Sequence, residues 1–386
     1  MQLKFCGADR EVTGSCHLLT LDDGFTILLD CGLYQGHVDS MDKFNETWLF
    51  DPVKIDCVVL SHAHIDHCGR LPRLVKDGFK GPIYSTHGTR SLCAILLLDS
   101  AKIQELDAQY ELKRIQKKKL QEPVPTPLYT SHDVTATMDR FISFGYERWI
   151  SLRPGVDVLF RDAGHILGSA SVVVRINENG KETLVGFTGD IGRPARPILR
   201  DPIPMMPVDY LICESTYGDR LHPAAPEETE KLLSIIHHTC VEKKGKLIIP
   251  AFSVGRTQEL VYMLDKASTA GILPPIPVFV DSPLAVSATQ VYGSHPECFD
   301  NELNEYLLTD PNPFGFNNLT YIRDVEDSKQ LNFLNGPCII ISASGMMNAG
   351  RVRHHLANNI EDPNATFLIV GYCAPDTPGG MLKAGI

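Results

Sequence analysis

The chain has 386 residues and a mass of 42.7 kDa, with 43% hydrophobic residues, 22% charged residues and a formal charge of −11. These figures exclude a disordered or low-complexity chain, and no apolar run approaches the ~18 residues of a membrane span. The longest runs, Ala94–Leu98 and Cys338–Ile341, are core-sized. The opening MQLKFCGADREV has no apolar stretch of the kind a secretory signal carries, and eleven scattered cysteines include no CxxC pair. Reduced thiols and a cytoplasmic location are therefore expected. The acidic balance opposes bulk attraction to nucleic acid but leaves room for a local basic groove.

In chain order, Gln2–Cys6, Cys16–Thr20 and Thr26–Asp30 read as short strands separated by turn signals. A strand-like run, Ile55–Leu60, leads straight into Ser61-His62. Helical spacing covers about Thr89–Gln121, and a second helix is predicted over His132–Phe144. Lys113, Arg114, Lys117, Lys118 and Lys119 near the end of the first read as a solvated helix end. Strands are predicted again at Val156–Phe160, Ser171–Ile176 and Thr183–Thr188.

Past Asp190 the texture changes. Short apolar runs at Tyr210–Cys213, Lys246–Pro250, Val278–Asp281, Cys338–Ala343 and Thr366–Gly371 alternate with helical stretches such as Glu227–Glu242 and Thr257–Ala270. Buried strands alternating with helices predict a mainly parallel sheet covered on both faces. A strand-rich part over 1–205 thus precedes an α/β part over 206–386.

The strongest chemical signal is Ser61-His62-Ala63-His64-Ile65-Asp66-His67, directly after a buried strand. Alternate residues of an extended segment share a face, so His62 and His64 can meet one metal. Asp66 and His67 follow as the chain turns and can address a second. Imidazole and carboxylate suit zinc. Two more candidates stand at strand ends: His165 in Asp162-Ala163-Gly164-His165 and Asp190 in Thr188-Gly189-Asp190-Ile191-Gly192. Their glycines let backbone approach a crowded site.

HxHxDH, then Gly-His, then Gly-Asp resembles the ordered ligand set of metallo-β-lactamase-fold hydrolases. The resemblance implies an α/β protein with a four-layer αββα sandwich. It places His62, His64 and His165 on one zinc, Asp66 and His67 on another, and Asp190 between them. Two such metals would activate a hydroxide held between them. Asp30 resembles that fold's early aspartate, a supporting group rather than a ligand.

Residues beyond Asp190 narrow the class, since the fold alone does not give a substrate. Cys213-Glu214-Ser215-Thr216-Tyr217-Gly218-Asp219-Arg220 resembles motif A of the β-CASP group of nucleic-acid-processing enzymes. Ile249-Pro250-Ala251-Phe252-Ser253-Val254-Gly255-Arg256, Asp281-Ser282-Pro283-Leu284-Ala285 and Ser342-Ala343-Ser344-Gly345-Met346-Met347 also match. The likeness implies a second, β-CASP α/β domain and a zinc-dependent ribonuclease acting on single-stranded RNA in processing or decay. Asp66, Asp190 and Glu214 would be its catalytic carboxylates, and a homodimer is compatible with it. Arg256, Ser344, Gly345 and Arg351, before predicted helix starts, would meet RNA phosphates.

The family's later motifs, a Ser-Ala-His-Ala-like segment and a final histidine, are not found before Ile386. His222 is the nearest substitute ligand, in a context that does not match. A truncated chain with an incomplete second zinc site and an uncovered sheet edge is therefore expected. The competing readings are a non-catalytic protein that binds RNA or a partner, and a small-molecule ester hydrolase of the same fold.

Overall fold

A computed structural model describes residues 1–35, 43–119, 122–219, 228–371, 373–374 and 377–385. The chain divides into two compact units, 1–220 and 221–386.

The first unit opens with β1 (Gln2–Phe5), β2 (His17–Thr20) and β3 (Thr26–Leu29), paired antiparallel. Next come β4 (Cys57–Val59), β5 (Ile83–Thr86) and β6 (Phe141–Phe144), added in parallel in the order β1-β2-β3-β4-β5-β6. A second sheet contains β7 (Trp149–Arg153), β8 (Val156–Asp162), β9 (Ala170–Glu178) and β10 (Lys181–Phe187), all antiparallel. At its edge β11 (Tyr210–Ile212) runs parallel to β10, with Tyr210 and Leu211 exposed.

The two sheets share one core. Leu19, Ile27, Leu29 and Val59 from the first meet Val158, Phe160, Val172, Val174 and Phe187 from the second. The two-residue spacing along each strand is what puts these side chains on one face. Leu28 and Val58 alternate with them and are buried too, so the first sheet is covered on both faces. The helix His87–Lys118 contacts β5 and β6. On the outer side of the second sheet Arg175 pairs with Asp157 at 2.8 Å and lies over Trp149.

Three predicted elements differ from those observed. Residues 132–144 are not one helix: a helix Ser131–Met138, started by a Thr130/Asp133 capping box, gives way to β6. Phe141-Ile142-Ser143-Phe144 has the β-branched and aromatic content of a strand and pairs with β5 from Ile83↔Phe141 onward. The long helix starts at His87, where the Thr86 hydroxyl accepts from the Thr89 N–H, and stops at Lys118 before a left-handed Lys119; Gln121 lies outside the described residues. Residues 206–220 stay with the first unit because β11 pairs with β10.

The second unit is built on a five-stranded, wholly parallel sheet. Its strands are β12 (Lys246–Pro250), β13 (Val278–Asp281), β14 (Leu319–Ile322), β15 (Cys338–Ser342) and β16 (Thr366–Phe367), in the order β14-β13-β15-β12-β16. Leu247, Ile248 and Ile249 are consecutive and all fully buried. That is the signature of a strand covered on both faces. Helices Arg256–Thr269, Pro283–Gly293 and Val352–Asn359 join the strands.

Candidate metal centre

The sequence-predicted ligands of the first unit converge. His62 follows β4 in extended backbone, and His64 stands at the start of a one-turn helix, Ile65–Cys68, that carries Asp66 and His67. His165 lies in the turn between β8 and β9, and Asp190 follows β10. One donor atom from each of His62, His64, His165 and Asp190 lies within 4.8 Å of the others. His62 Nε2 is 3.2 Å from His64 Nδ1, and His165 Nε2 is 3.1 Å from it. Asp190 Oδ2 stands 3.7 Å from His62 Nε2 and 3.5 Å from His165 Nε2.

This donor set fits zinc. Four donors held 2.0–2.1 Å from a tetrahedral zinc stand roughly 3.3 Å from one another, which is the spacing observed. Three ring nitrogens facing one point have no proton to share among all of them, whereas a cation accepts a lone pair from each. Burial lowers the pKa of His62 well below the usual imidazole range, that of His64 to about 4 and that of His165 to about 3. All three are thus neutral, as ligation requires.

Asp190 divides its oxygens. While Oδ2 faces His62 and His165, Oδ1 lies 3.2 Å from His67 Nε2. Asp66 Oδ2 is 3.8 Å from the same nitrogen. Burial alone would raise the Asp190 carboxyl, but His62, His67 and His165 hold it far below the usual range. Asp66, Asp190 and His67 thus assemble beside the first cluster. Among the described residues the complete four-donor set is the His62, His64, His165 and Asp190 cluster; His222 falls outside them.

A buried carboxylate organises the histidine segment. Asp30, fully buried, accepts from the Ser61 N–H at 2.8 Å, the Ser61 hydroxyl at 2.9 Å, the Ser15 hydroxyl at 3.1 Å and His67 Nδ1 at 2.7 Å. With its Nδ1–H given to Asp30, His67 turns Nε2 toward Asp190. Burial lowers the His67 pKa, yet Asp190 and Asp30 outweigh it and carry it well above the usual value.

Ser61, Ser15 and Ser169 were not singled out from the sequence. Ser61 Oγ lies 3.0 Å from His62 Nδ1, and Ser169 Oγ accepts from the N–H groups of His165 and Ile166 at 3.0 and 3.2 Å. Only Ser61 stands beside a ligand in the sequence; Ser15 and Ser169 gave no such signal.

Two glycines bring the pieces together. A Cβ on Gly192 would sit 1.7 Å from the Gly164 carbonyl oxygen, and the Gly192 N–H donates to the Ala163 carbonyl at 2.8 Å. Only glycine lets the Asp190 loop lie against the His165 loop this closely. Gly32 plays the same part under Asp66, whose carbonyl oxygen would lie 1.7 Å from an added Cβ.

Glu214 sits after β11, partly buried. Its Oε1 accepts from the Ile191 N–H at 2.6 Å and its Oε2 from the Thr216 hydroxyl at 2.8 Å. It therefore grips the backbone one residue beyond Asp190.

The four residues expected to meet RNA all lie in the second unit. Arg256 begins a helix and pairs with Glu259 at 3.0 Å. Ser344 and Gly345 follow β15, with Ser344 Oγ donating to Asn348 Oδ1 at 2.9 Å. Arg351 is tied down by two hydrogen bonds. Its guanidinium donates to the buried Asp281 carboxylate and to the Arg323 carbonyl, each at 2.7 Å. Asp281 also accepts from Ser328 and His355 at 2.6 and 2.7 Å. With those contacts made, Arg351 anchors the end of the Ser344 loop rather than presenting its charge outward.

Residues 18–185 match the metallo-beta-lactamase superfamily domain, and residues 257–382 match the Beta-Casp domain. Ribonuclease TTHA0252 of Thermus thermophilus is 35% identical over 98% of this chain and 80% of its own length. The chain belongs to the β-CASP family of metallo-β-lactamase-fold proteins. Other β-CASP relatives are longer. Transcription termination factor FttA of Methanosarcina mazei is 33% identical, and cleavage and polyadenylation specificity factor 73 of Drosophila melanogaster is 32% identical. Each match covers 98% of this chain but only 57% and 51%, respectively, of the relative. Membership of the β-CASP family and the four-donor cluster together support a metal-dependent hydrolase. No helix of the described residues is long and apolar enough to cross a membrane.

Proposed function

We propose that this chain is a zinc-dependent ribonuclease that hydrolyses phosphodiester bonds of single-stranded RNA. The observation that carries the reading is the convergence of three neutral imidazoles and the Asp190 carboxylate on one point. The substrate class comes from relatives named as a ribonuclease, a transcription termination factor and a cleavage and polyadenylation specificity factor.

A zinc held by His62, His64, His165 and Asp190 would supply Lewis-acid polarisation of a phosphoryl oxygen and a nucleophile at neutral pH. The chain's own residues do the positioning. Asp30 orients His67, so that His67, Asp66 and Asp190 would offer donors to a second metal. A second zinc there would have three protein groups, fewer than the first. Arg256, the Ser344 hydroxyl and the Gly345 backbone N–H are the groups proposed to hold RNA phosphates, and Arg351 keeps that loop in place through Asp281.

Glu214 acts in this reading as a positioning residue, because both its oxygens already accept hydrogen bonds that fix the Asp190 loop. Labelled single-stranded RNA, incubated with the chain and zinc, tests the proposal together with two variants. The wild type should cut, and Glu214→Gln, which keeps an acceptor for the Ile191 N–H, should retain most of that rate with an unchanged pH profile. Glu214→Ala should lose about 10–100-fold, the usual effect of removing a group that orients a ligand. If Glu214→Gln loses as much as Glu214→Ala and the acid limb of the pH profile vanishes, Glu214 moves a proton instead. Turnover of a simple carboxylic ester with no RNA cleavage would overturn the ribonuclease reading itself.

A further inference from the structure

The second unit contains an open pocket of about 660 Å³ between the helix Pro283–Gly293 and the segment 312–321. Its volume lies in the range of small-ligand sites, about 300–1,000 Å³. None of its residues belongs to the metal centre, and all eleven are uncharged.

The lining chemistry restricts what can enter. A charged ligand would lose water without finding a counter-charge among those residues. Gln290 and Gly293 stand in the last turns of their helix, where the helix dipole further disfavours an anion. What the pocket does offer is primary amides. Gln290, Asn312 and Asn317 each carry an acceptor oxygen and a two-proton donor nitrogen.

Two of the amides are set in place. Arg323 donates to Gln290 Oε1 at 3.0 Å and to Ser287 Oγ at 3.2 Å, which leaves Gln290 Nε2 to donate. The Asn312 amide lies over Gly315, so near that a Cβ there would come within 2.2 Å of Nδ2. Phe316 presents a half-buried ring, and the Tyr321 hydroxyl is committed to the Phe314 carbonyl at 2.6 Å, leaving its ring as wall. Side-chain amides pairing with donor–acceptor edges, beside an aromatic face, are how proteins hold nucleobases.

We propose that this pocket binds a nucleobase, either in a free nucleoside or as an unpaired base of an RNA strand. The RNA alternative rests on the ribonuclease reading, whereas nucleoside binding does not. Calorimetric titration of the full chain with adenosine tests it. Adenosine should bind one to one, and Gln290→Leu combined with Asn317→Leu should weaken it about tenfold or more. Both side chains are exposed, so the variant keeps its fold. Gly315→Ala, which pushes the Asn312 amide aside, should weaken binding independently. Asp190→Ala should bind adenosine as the wild type does, even though it loses RNA cleavage. Competition by an octa-adenylate strand assigns the pocket to bases in RNA, and its absence assigns it to free nucleosides; either supports a nucleobase site. No adenosine binding at millimolar concentration, or binding indifferent to the Gln290, Asn317 and Gly315 changes, would overturn it, as would loss of binding in Asp190→Ala.

Discussion

Asp190→Ala should abolish RNA cleavage, by at least about 10³-fold, the equivalent of about 4 kcal/mol of transition-state stabilisation. The size of the effect follows from the division of its carboxylate. One oxygen completes the donor set of His62, His64 and His165, and the other faces His67 at 3.2 Å. Alanine removes both at once. It also leaves four nearby imidazoles without their shared anion, so zinc affinity falls together with the rate. Asp190 is partly exposed and lies in a loop after β10, so circular dichroism of the variant should stay close to wild type. Cleavage above a few percent of the wild-type rate would show that the shared carboxylate is not at the reacting centre.

Asp30→Ala should act mainly on stability, costing about 3–5 kcal/mol, as expected when one partner of a buried charged pair is removed. Four donors point at this carboxylate: the Ser61 N–H and hydroxyl, the Ser15 hydroxyl and His67 Nδ1. No water-exposed route exists for them, since Ser15, Ser61 and His67 are themselves buried. The backbone adds to the cost: Asp30 has φ 59°, a left-handed conformation that aspartate and asparagine adopt more readily than alanine. Asp30→Asn should therefore recover part of the loss, keeping the backbone and one acceptor but not the charge. Because His67 would also lose its orientation, zinc affinity in surviving folded protein should drop about 10–100-fold. Denaturant midpoints of the three proteins check this ordering, and an alanine variant within about 0.5 kcal/mol of wild type would contradict it.

Much of this was legible in the residues, for identifiable reasons. Strands such as Lys246–Pro250 and Val278–Asp281 appeared where predicted, because a strand buried on both faces is a continuous apolar run. The ligand segment was legible because one short motif holds four metal-binding side chains. Phe141–Phe144 was read as helix because it directly continues a helical pattern; its partner strand, β5, lies more than fifty residues earlier. Edge strand β14 was not read at all, since Leu319–Ile322 has no fully apolar run and only Ile322 is buried. The serines that hold Asp30 and His165 are defined by tertiary contacts, and serine has no spacing rule that marks them. Arg351 shows another contact that sequence does not mark. A basic residue beside a helix start suggests an anion site, but the buried Asp281 across the sheet already claims its charge.

Metal content tests most directly whether His62, His64, His165 and Asp190 form a zinc site. Purified chain loaded with zinc, dialysed against metal-free buffer and analysed by elemental mass spectrometry should retain close to one zinc per chain. The second, for which the described residues offer Asp66, His67 and the shared Asp190, should be lost on dialysis. A chain that retains no zinc, or holds as much after all four residues are replaced by alanine, would contradict the account.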